Sequence, residues 1–220
     1  MKQPLLVLLV LCVGPLAACQ MTGGGCPPGV GDGKEYFKTT GFSTTAVRAT
    51  FPDSLQTRPD LSPIAGDTLA SGQLAIQMTP EKVLYSQALP PNVSFHLLPA
   101  ARVLPAARAC SPVEPRSEER IQDIRLSSNR SFRGHPPGDT LSAFFDVVAR
   151  NRAEYGTRRF ELDAFRSMEP RAVDELILLL DARPETTARF RFTVEYEQEG
   201  PGLDTYEYTT APIVLPTDPS

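Results

Sequence analysis

Alternation of apolar and polar side chains at every second position is the feature that most limits what this chain can fold into. Phe190, Phe192, Val194 and Tyr196 alternate with Arg191, Thr193 and Glu195, a period that turns one face of an extended strand to a core and the other to water. The same rhythm recurs at Phe42, Thr44 and Ala46, at Leu74, Ile76 and Met78, and at Val93, Phe95 and Leu97, with shorter echoes at Ile124 and Leu126 and at Phe160, Leu162 and Ala164. Glu199-Gly200-Pro201-Gly202 leading into Tyr206 and Tyr208 predicts a hairpin with a multi-residue glycine loop. Residues 213–215 lie between Pro212 and Pro216, which suits a closing edge strand. The chain of 220 residues carries 22 prolines, 15 glycines and no tryptophan, so its elements are short and its turns many. The expected fold is mainly β, an antiparallel β-sandwich that is immunoglobulin-like or related.

Two segments depart from this rhythm. Leu141, Phe144, Phe145 and Val148 follow Gly138 and Asp139 at spacings that share one helical face, with Asp139 or Thr140 placed to cap, and predict one short helix around 140–151. The apolar run 176–180 fits a helix starting at Pro170 or a buried strand; strand is favoured for 170–181 because the hairpin that follows needs a neighbour. The prolines, alanines and arginines around 99–119 read as a surface loop or linker. Neither the repeated string LPAAR nor the repeated GDTL recurs at a solenoid period.

The start of the chain is read as a targeting segment. Lys2, an apolar run over 5–13 and then Leu16-Ala17-Ala18-Cys19 resemble the lipobox of bacterial lipoproteins, in which the cysteine thiol takes a diacylglyceryl group before cleavage frees its amine. The run is shorter than the roughly 20 residues a spanning helix needs. Residues 1–18 are thus expected to be a signal peptide, Cys19 the lipidation site, 19–33 a flexible glycine-rich tether and 34–220 a single β-rich domain. Cys12 leaves with the signal, so Cys26 and Cys110 are the thiols left in an oxidising compartment. A bridge between them is the economical reading, two free thiols the other, and spacing does not choose.

The search for chemistry returns little. The two histidines, His96 and His135, stand in no zinc-binding frame, and no nucleophile elbow, phosphate loop or dinucleotide fingerprint is present. Asp32 and Asp204 lie in glycine-bounded loops without a calcium-loop string, so neither metal nor cofactor is assigned. A formal charge of −4 disfavours a nucleic-acid partner. Tyr196, Tyr206 and Tyr208 present two readings, cross-strand packing or a platform that stacks on sugar rings beside a carboxylate.

The order of features is that of a known group. A lipobox, a tether with a second cysteine, Glu35-Tyr36-Phe37, the pair Ala109-Cys110, the run Ile124-Arg125-Leu126-Ser127-Ser128-Asn129, the spacing of Leu141 and Phe145, and Thr210-Ala211-Pro212-Ile213 together resemble Bacteroidota lipoproteins whose exported domain is one of unknown function. The resemblance implies an envelope protein, in the outer membrane, and no activity. It also implies O-glycosylation at Asp-Ser/Thr-aliphatic strings, for which Ser54 and Thr68 are the candidates. Gln20-Met21-Thr22-Gly23 lacks the acidic residues that accompany surface display in this group, which leaves the leaflet open. The expected function is a non-enzymatic structural or interaction module held to the membrane at Cys19, with an envelope protein or glycan as partner. A glycan-binding or glycan-hydrolysing module is the alternative.

Overall fold

The computed structural model describes residues 35–51, 57–66, 68–70, 72–86, 115–152, 154 and 156–217, all within one compact unit. Cys19, Cys26, Ser54, His96 and Cys110, and the strand expected at 93–97, lie outside the described residues.

Among the described residues twelve strands form three sheets. A long hairpin pairs β1 (Glu35–Thr50) with β3 (Leu74–Ser86), and β2 (Asp60–Pro63) lies on the outer side of β1. The large sheet continues through β8 (Glu175–Leu180), β6 (Phe145–Asn151) and β7 (Gly156–Glu161), in the order β2-β1-β3-β8-β6-β7, and curls into a half-barrel. The short β4 (Arg116–Ser117) runs parallel to β1 at Tyr36 and Phe37. A second sheet sets β10 (Phe192–Glu199) between β5 (Arg120–Ser128) and β11 (Thr205–Thr209). A third pairs β9 (Ala188–Phe190) with β12 (Ile213–Leu215).

The sheets share one core. Ile76, Met78, Val147 and Leu178 of the large sheet meet Ile124, Leu126, Phe192 and Val194 of the second, and Phe190, Ile213 and Leu215 of the third. Aromatic rings fill its centre, with Phe192 in edge contact with Phe132 and Phe145 and stacked on Phe190. On the outer face of the large sheet, Val47, Ala49, Ala75, Val148, Ile177 and Leu179 make a smaller cluster covered by Phe51 and Leu61. The mainly β, antiparallel, sandwich-like class with one short helix is therefore the observed one.

The helix, however, is not at 140–151. There the chain makes only a 3-10 turn (Ser142–Phe144) and then enters β6. β6 lies inside the large sheet with apolar material on both faces, Phe145, Val147 and Ala149 inward and Val148 outward. A strand buried on both sides shows a near-continuous apolar run, and four residues of such a run coincide with helical spacing. The α-helix is α1 (Leu162–Ser167), where a strand was expected through Phe160, Leu162 and Ala164. Phe160 lies in β7, which ends at Glu161, while Leu162 and Phe165, three apart, turn the same way into the core and Ala164 faces solvent. Glu169 stops the helix in the left-handed region (φ 45), ahead of Pro170.

The 176–180 run is the strand β8, but its neighbours are β3 and β6, and the β10–β11 hairpin takes β5 instead. The Phe190–Tyr196 rhythm is divided at Arg191, where the chain passes from the ladder with β12 to the ladder with β5. The loop expected around 99–119 ends inside the fold, since β4 and Glu119 belong to its last residues. Among the described residues no helix is long and apolar enough to cross a membrane.

Truncating Phe192, fully buried at the meeting of the three sheets, leaves a cavity that its neighbours cannot fill. Phe192→Ala is expected to lower the unfolding free energy in a urea titration by about 3–5 kcal/mol. Leu84→Ala, at a position 60% exposed, is expected to change it by no more than about 0.5 kcal/mol.

Candidate functional site

The site is organised by an incomplete edge. On one side of β1, β2 covers Val47–Thr50 and β4 covers Tyr36–Phe37, leaving the backbone between them without a strand. Unpaired strand edges expose donors and acceptors that must find partners. Here loop backbone and side chains distant in sequence provide them. The Thr39 N–H donates to both carboxylate oxygens of Glu119 at 2.9 Å, and the Thr39 carbonyl accepts from the Leu203 N–H at 2.8 Å. The Tyr206 hydroxyl donates to the Phe42 carbonyl at 3.1 Å and lies 3.1 Å from the Thr44 hydroxyl, and the Ala46 N–H donates to the Tyr208 hydroxyl.

Glu119 is wholly buried. Its carboxylate also accepts from the Ser117 hydroxyl at 3.2 Å, while its own N–H donates to that hydroxyl at 3.1 Å. Gly200 and Gly202 pass so close that a Cβ on either would collide with the Glu119 side chain, which is why this loop needs its glycines. Burial, reinforced by the nearby Glu119 charge, pushes the Tyr196 phenol far up, so it remains a protonated donor to Gln198 Oε1 at 2.9 Å. Burial raises the Tyr208 phenol as well, against the lowering effect of the Ala46 N–H.

Where this edge meets β2, a cleft of about 490 Å³ opens. Its walls are Thr45–Val47 of β1, Leu61–Ile64 on and after β2, Tyr208 of β11 and Ala211–Ile213. The polar groups on its lining are Thr45, Ser62, Gln77 and Tyr208, a set that offers hydrogen bonds but no nucleophile beside a base. A separate notch of about 280 Å³ is lined by Asn129, Arg130, Arg189, Arg191 and Pro212, and Pro212 is a wall of both openings.

Charge is organised elsewhere too. Glu175, buried at the start of β8, holds Arg58 at 2.9 Å and Gln77 at 2.8 Å, with Arg150 at 3.7 Å. Asp174 accepts from Lys82 at 2.5 Å and from the Arg152 N–H at 2.9 Å, and the Lys82 ammonium also sits 3.8 Å from the centroid of the Phe37 ring. Burial pushes the Asp174 carboxyl up, but these donors and the Arg150 charge outweigh it and hold the group below the ordinary carboxylate value.

The tyrosines expected either to pack or to stack on sugars are thus packed or bonded inward. Tyr196 is buried against Phe42 at 4.7 Å, Tyr206 lies 5.1 Å from Phe42, and both the Tyr206 and Tyr208 hydroxyls are engaged with β1. His135 is half-buried against Phe144 in a turn, at 5.3 Å between ring centroids. Thr68 is exposed and bridges Val214 of β12. The Thr140 hydroxyl lies 3.0 Å from that of Ser142 and caps no helix. Among the described residues no cluster of three or more histidine, cysteine or acidic side chains is arranged to hold a metal. Sequence reasoning missed Glu119, the cleft and the arginine notch. The one signal for the last is the alternation of Arg189 and Arg191 with Phe190 and Phe192, a polar half that by period alone is only a wet face.

Compared with protein-family models, curated proteins and solved structures, the chain matches none.

Removing the Glu119 carboxylate leaves the Thr39 N–H and the Ser117 hydroxyl buried without an acceptor. Glu119→Ala is expected to cost at least about 2 kcal/mol in denaturant unfolding, and Glu119→Gln, which keeps shape and one carbonyl, is expected to cost less. Asp174 gives a pH signature. Its folded pKa is depressed, so its stabilisation is complete above the unfolded value of about 3.9 and disappears as pH falls through the folded value. The stability difference between wild type and Asp174→Asn, read from urea midpoints across pH, should be constant near neutrality and shrink below about pH 4.

Proposed function

We propose that the chain is an envelope lipoprotein, anchored through lipid on Cys19, whose β-rich domain serves as a non-enzymatic interaction module. The anchor rests on Leu16-Ala17-Ala18-Cys19 behind a short apolar run. The Bacteroidota resemblance, with its outer-membrane location and its sugars on Ser54 and Thr68, belongs to the same reading. The observation that carries the module role is the cleft, whose lining of main-chain edges, aliphatic side chains and neutral hydrogen-bonding groups suits holding a partner better than transforming one. The glycan alternative loses its main support, because the rings proposed as its platform are packed against Phe42 and bonded to β1.

In the native host, a clickable palmitate analogue should label the wild-type protein and not Cys19→Ser, and the label should follow the membrane fraction; an unlabelled wild type overturns the anchor. A photo-crosslinking residue placed at Ser62, on the cleft wall, should give a discrete adduct in intact cells. The same group at the exposed Glu195, on the outer side of β10, should not, and equal behaviour of the two positions overturns the cleft as the interaction face.

A further inference from the structure

We infer that the cleft beside β2 takes an extended, uncharged polypeptide segment with aliphatic side chains, an inference that rests on the cleft being the interaction face. Two polar groups on its lining are each fixed from behind and offer opposite hydrogen-bonding character. The Tyr208 hydroxyl accepts the Ala46 N–H, and burial raises the phenol's pKa, so its own O–H remains to donate. The Gln77 amide is held by its nitrogen: Nε2 donates to Glu175 Oε1 at 2.8 Å, which leaves Oε1 as an acceptor. Glu175 is itself buried and receives Arg58 at 2.9 Å, so the bond that orients Gln77 is anchored in the fold. Donor and acceptor directions set before a ligand arrives cost little to use on binding.

The rest of the lining is apolar. Val47, Leu61, Ile64 and Ala211 contribute aliphatic surface, with Pro63 from the end of β2 and Pro212 from the segment before β12. Among the described residues no charged side chain lines the cleft.

This combination separates ligand classes. A phosphate or carboxylate would enter apolar surroundings without a counter-charge, which is strongly unfavourable. An acyl chain would match the aliphatic walls but leave the Tyr208 O–H and Gln77 Oε1 desolvated and unbonded. A sugar would press its hydroxyls against aliphatic and proline walls that offer them no partner. A polypeptide supplies both halves: one N–H donor and one carbonyl acceptor per residue, and side chains that alternate about an extended main chain. Its carbonyl accepts from Tyr208, its N–H donates to Gln77 Oε1, and aliphatic side chains pack against Leu61, Ile64 and Ala211. The cleft also lies beside β1 at Thr45–Val47, next to the stretch of edge that the tyrosine hydroxyls cap, and strand edges are where extended segments are commonly taken up.

The test pans a phage library of short random peptides against the full chain in phosphatidylcholine nanodiscs, with empty nanodiscs as counter-selection. Enriched peptides are expected to share an uncharged core of Val, Ile, Leu and Pro. Binding of a synthesised winner is then read by fluorescence polarisation. Replacing its core amides one at a time by esters should reveal a position where the lost N–H weakens binding about fivefold. In Gln77→Leu that ester and its parent amide should bind alike, which assigns the N–H to Gln77 Oε1. Ala211→Trp, which fills the cleft from an exposed position, should weaken binding at least about tenfold. Winners with a charged core, no enrichment over empty nanodiscs, or wild-type affinity in Ala211→Trp overturn the inference. The Ser62 cross-link separates this inference from the reading beneath it. An adduct that protease reduces to a peptide supports a polypeptide occupant, and an adduct of sugar or lipid overturns it while keeping the cleft as the interaction face. Equal cross-linking at Glu195 overturns the face itself.

Discussion

Closure of the β1 edge by Glu119 is the interaction on which the two-layer arrangement depends. A long hairpin such as β1–β3 can form from local alternation alone, but its outer edge between β4 and β2 would present bare donors and acceptors to whatever packed beside it. Covering that edge with a further strand would continue the large sheet. Covering it with a carboxylate, a loop N–H and two tyrosyl hydroxyls instead lets the β5–β10–β11 sheet turn away and pack across the core. Both strand irregularities nearby, the shift in β1 between Thr39 and Gly41 and that in β10 between Glu197 and Gln198, flank the buried carboxylate. Such bulges bend a strand where pairing must end.

Burial of charge follows the same logic on the outer face of the large sheet. All six residues of β8 are buried, including Glu175, which would be a liability without partners. Arg58 from the segment before β2, Gln77 from β3 and Arg150 from β6 surround it, tying three regions of chain at a point where the small outer cluster ends. Glu119 and Glu175 thus do related work by different means. One is satisfied by neutral donors, the other by opposite charge together with the Gln77 amide.

These closures also decide where the surface remains open. The cleft lies where β2 leaves β1 and the tyrosines take over, and the notch lies where the chain leaves the β9–β12 ladder for β10. Both are by-products of chain segments changing partners, positions at which main-chain groups and side chains of several elements converge without filling space. Pro212 stands between the two, with neutral and apolar character on one side and cationic character on the other.

Strand identity was legible wherever a strand has one wet face. Phe192, Val194 and Tyr196 alternate because β10 is buried on one side, and the alternation alone revealed it. β6 and β8 were harder, since both faces are covered and the period of two vanishes; Phe145 and Val148 then mimic a helix, while the real helix, six residues long, is too short to show a period. Of the site, the tyrosines were visible as residues but not as caps, because their role depends on a β1 edge more than 160 positions away. Glu119 looked like one charge at the end of a proline-rich loop. By itself the sequence determined a mainly β antiparallel class and the places where most strands run, because these depend on local order and on side-chain period. Only the tertiary structure decided which edges are closed by side chains, which charges are buried, and that Arg130, Arg189 and Arg191 share one notch, because those facts arise from contacts between segments whose separation in sequence carries no signal of their meeting.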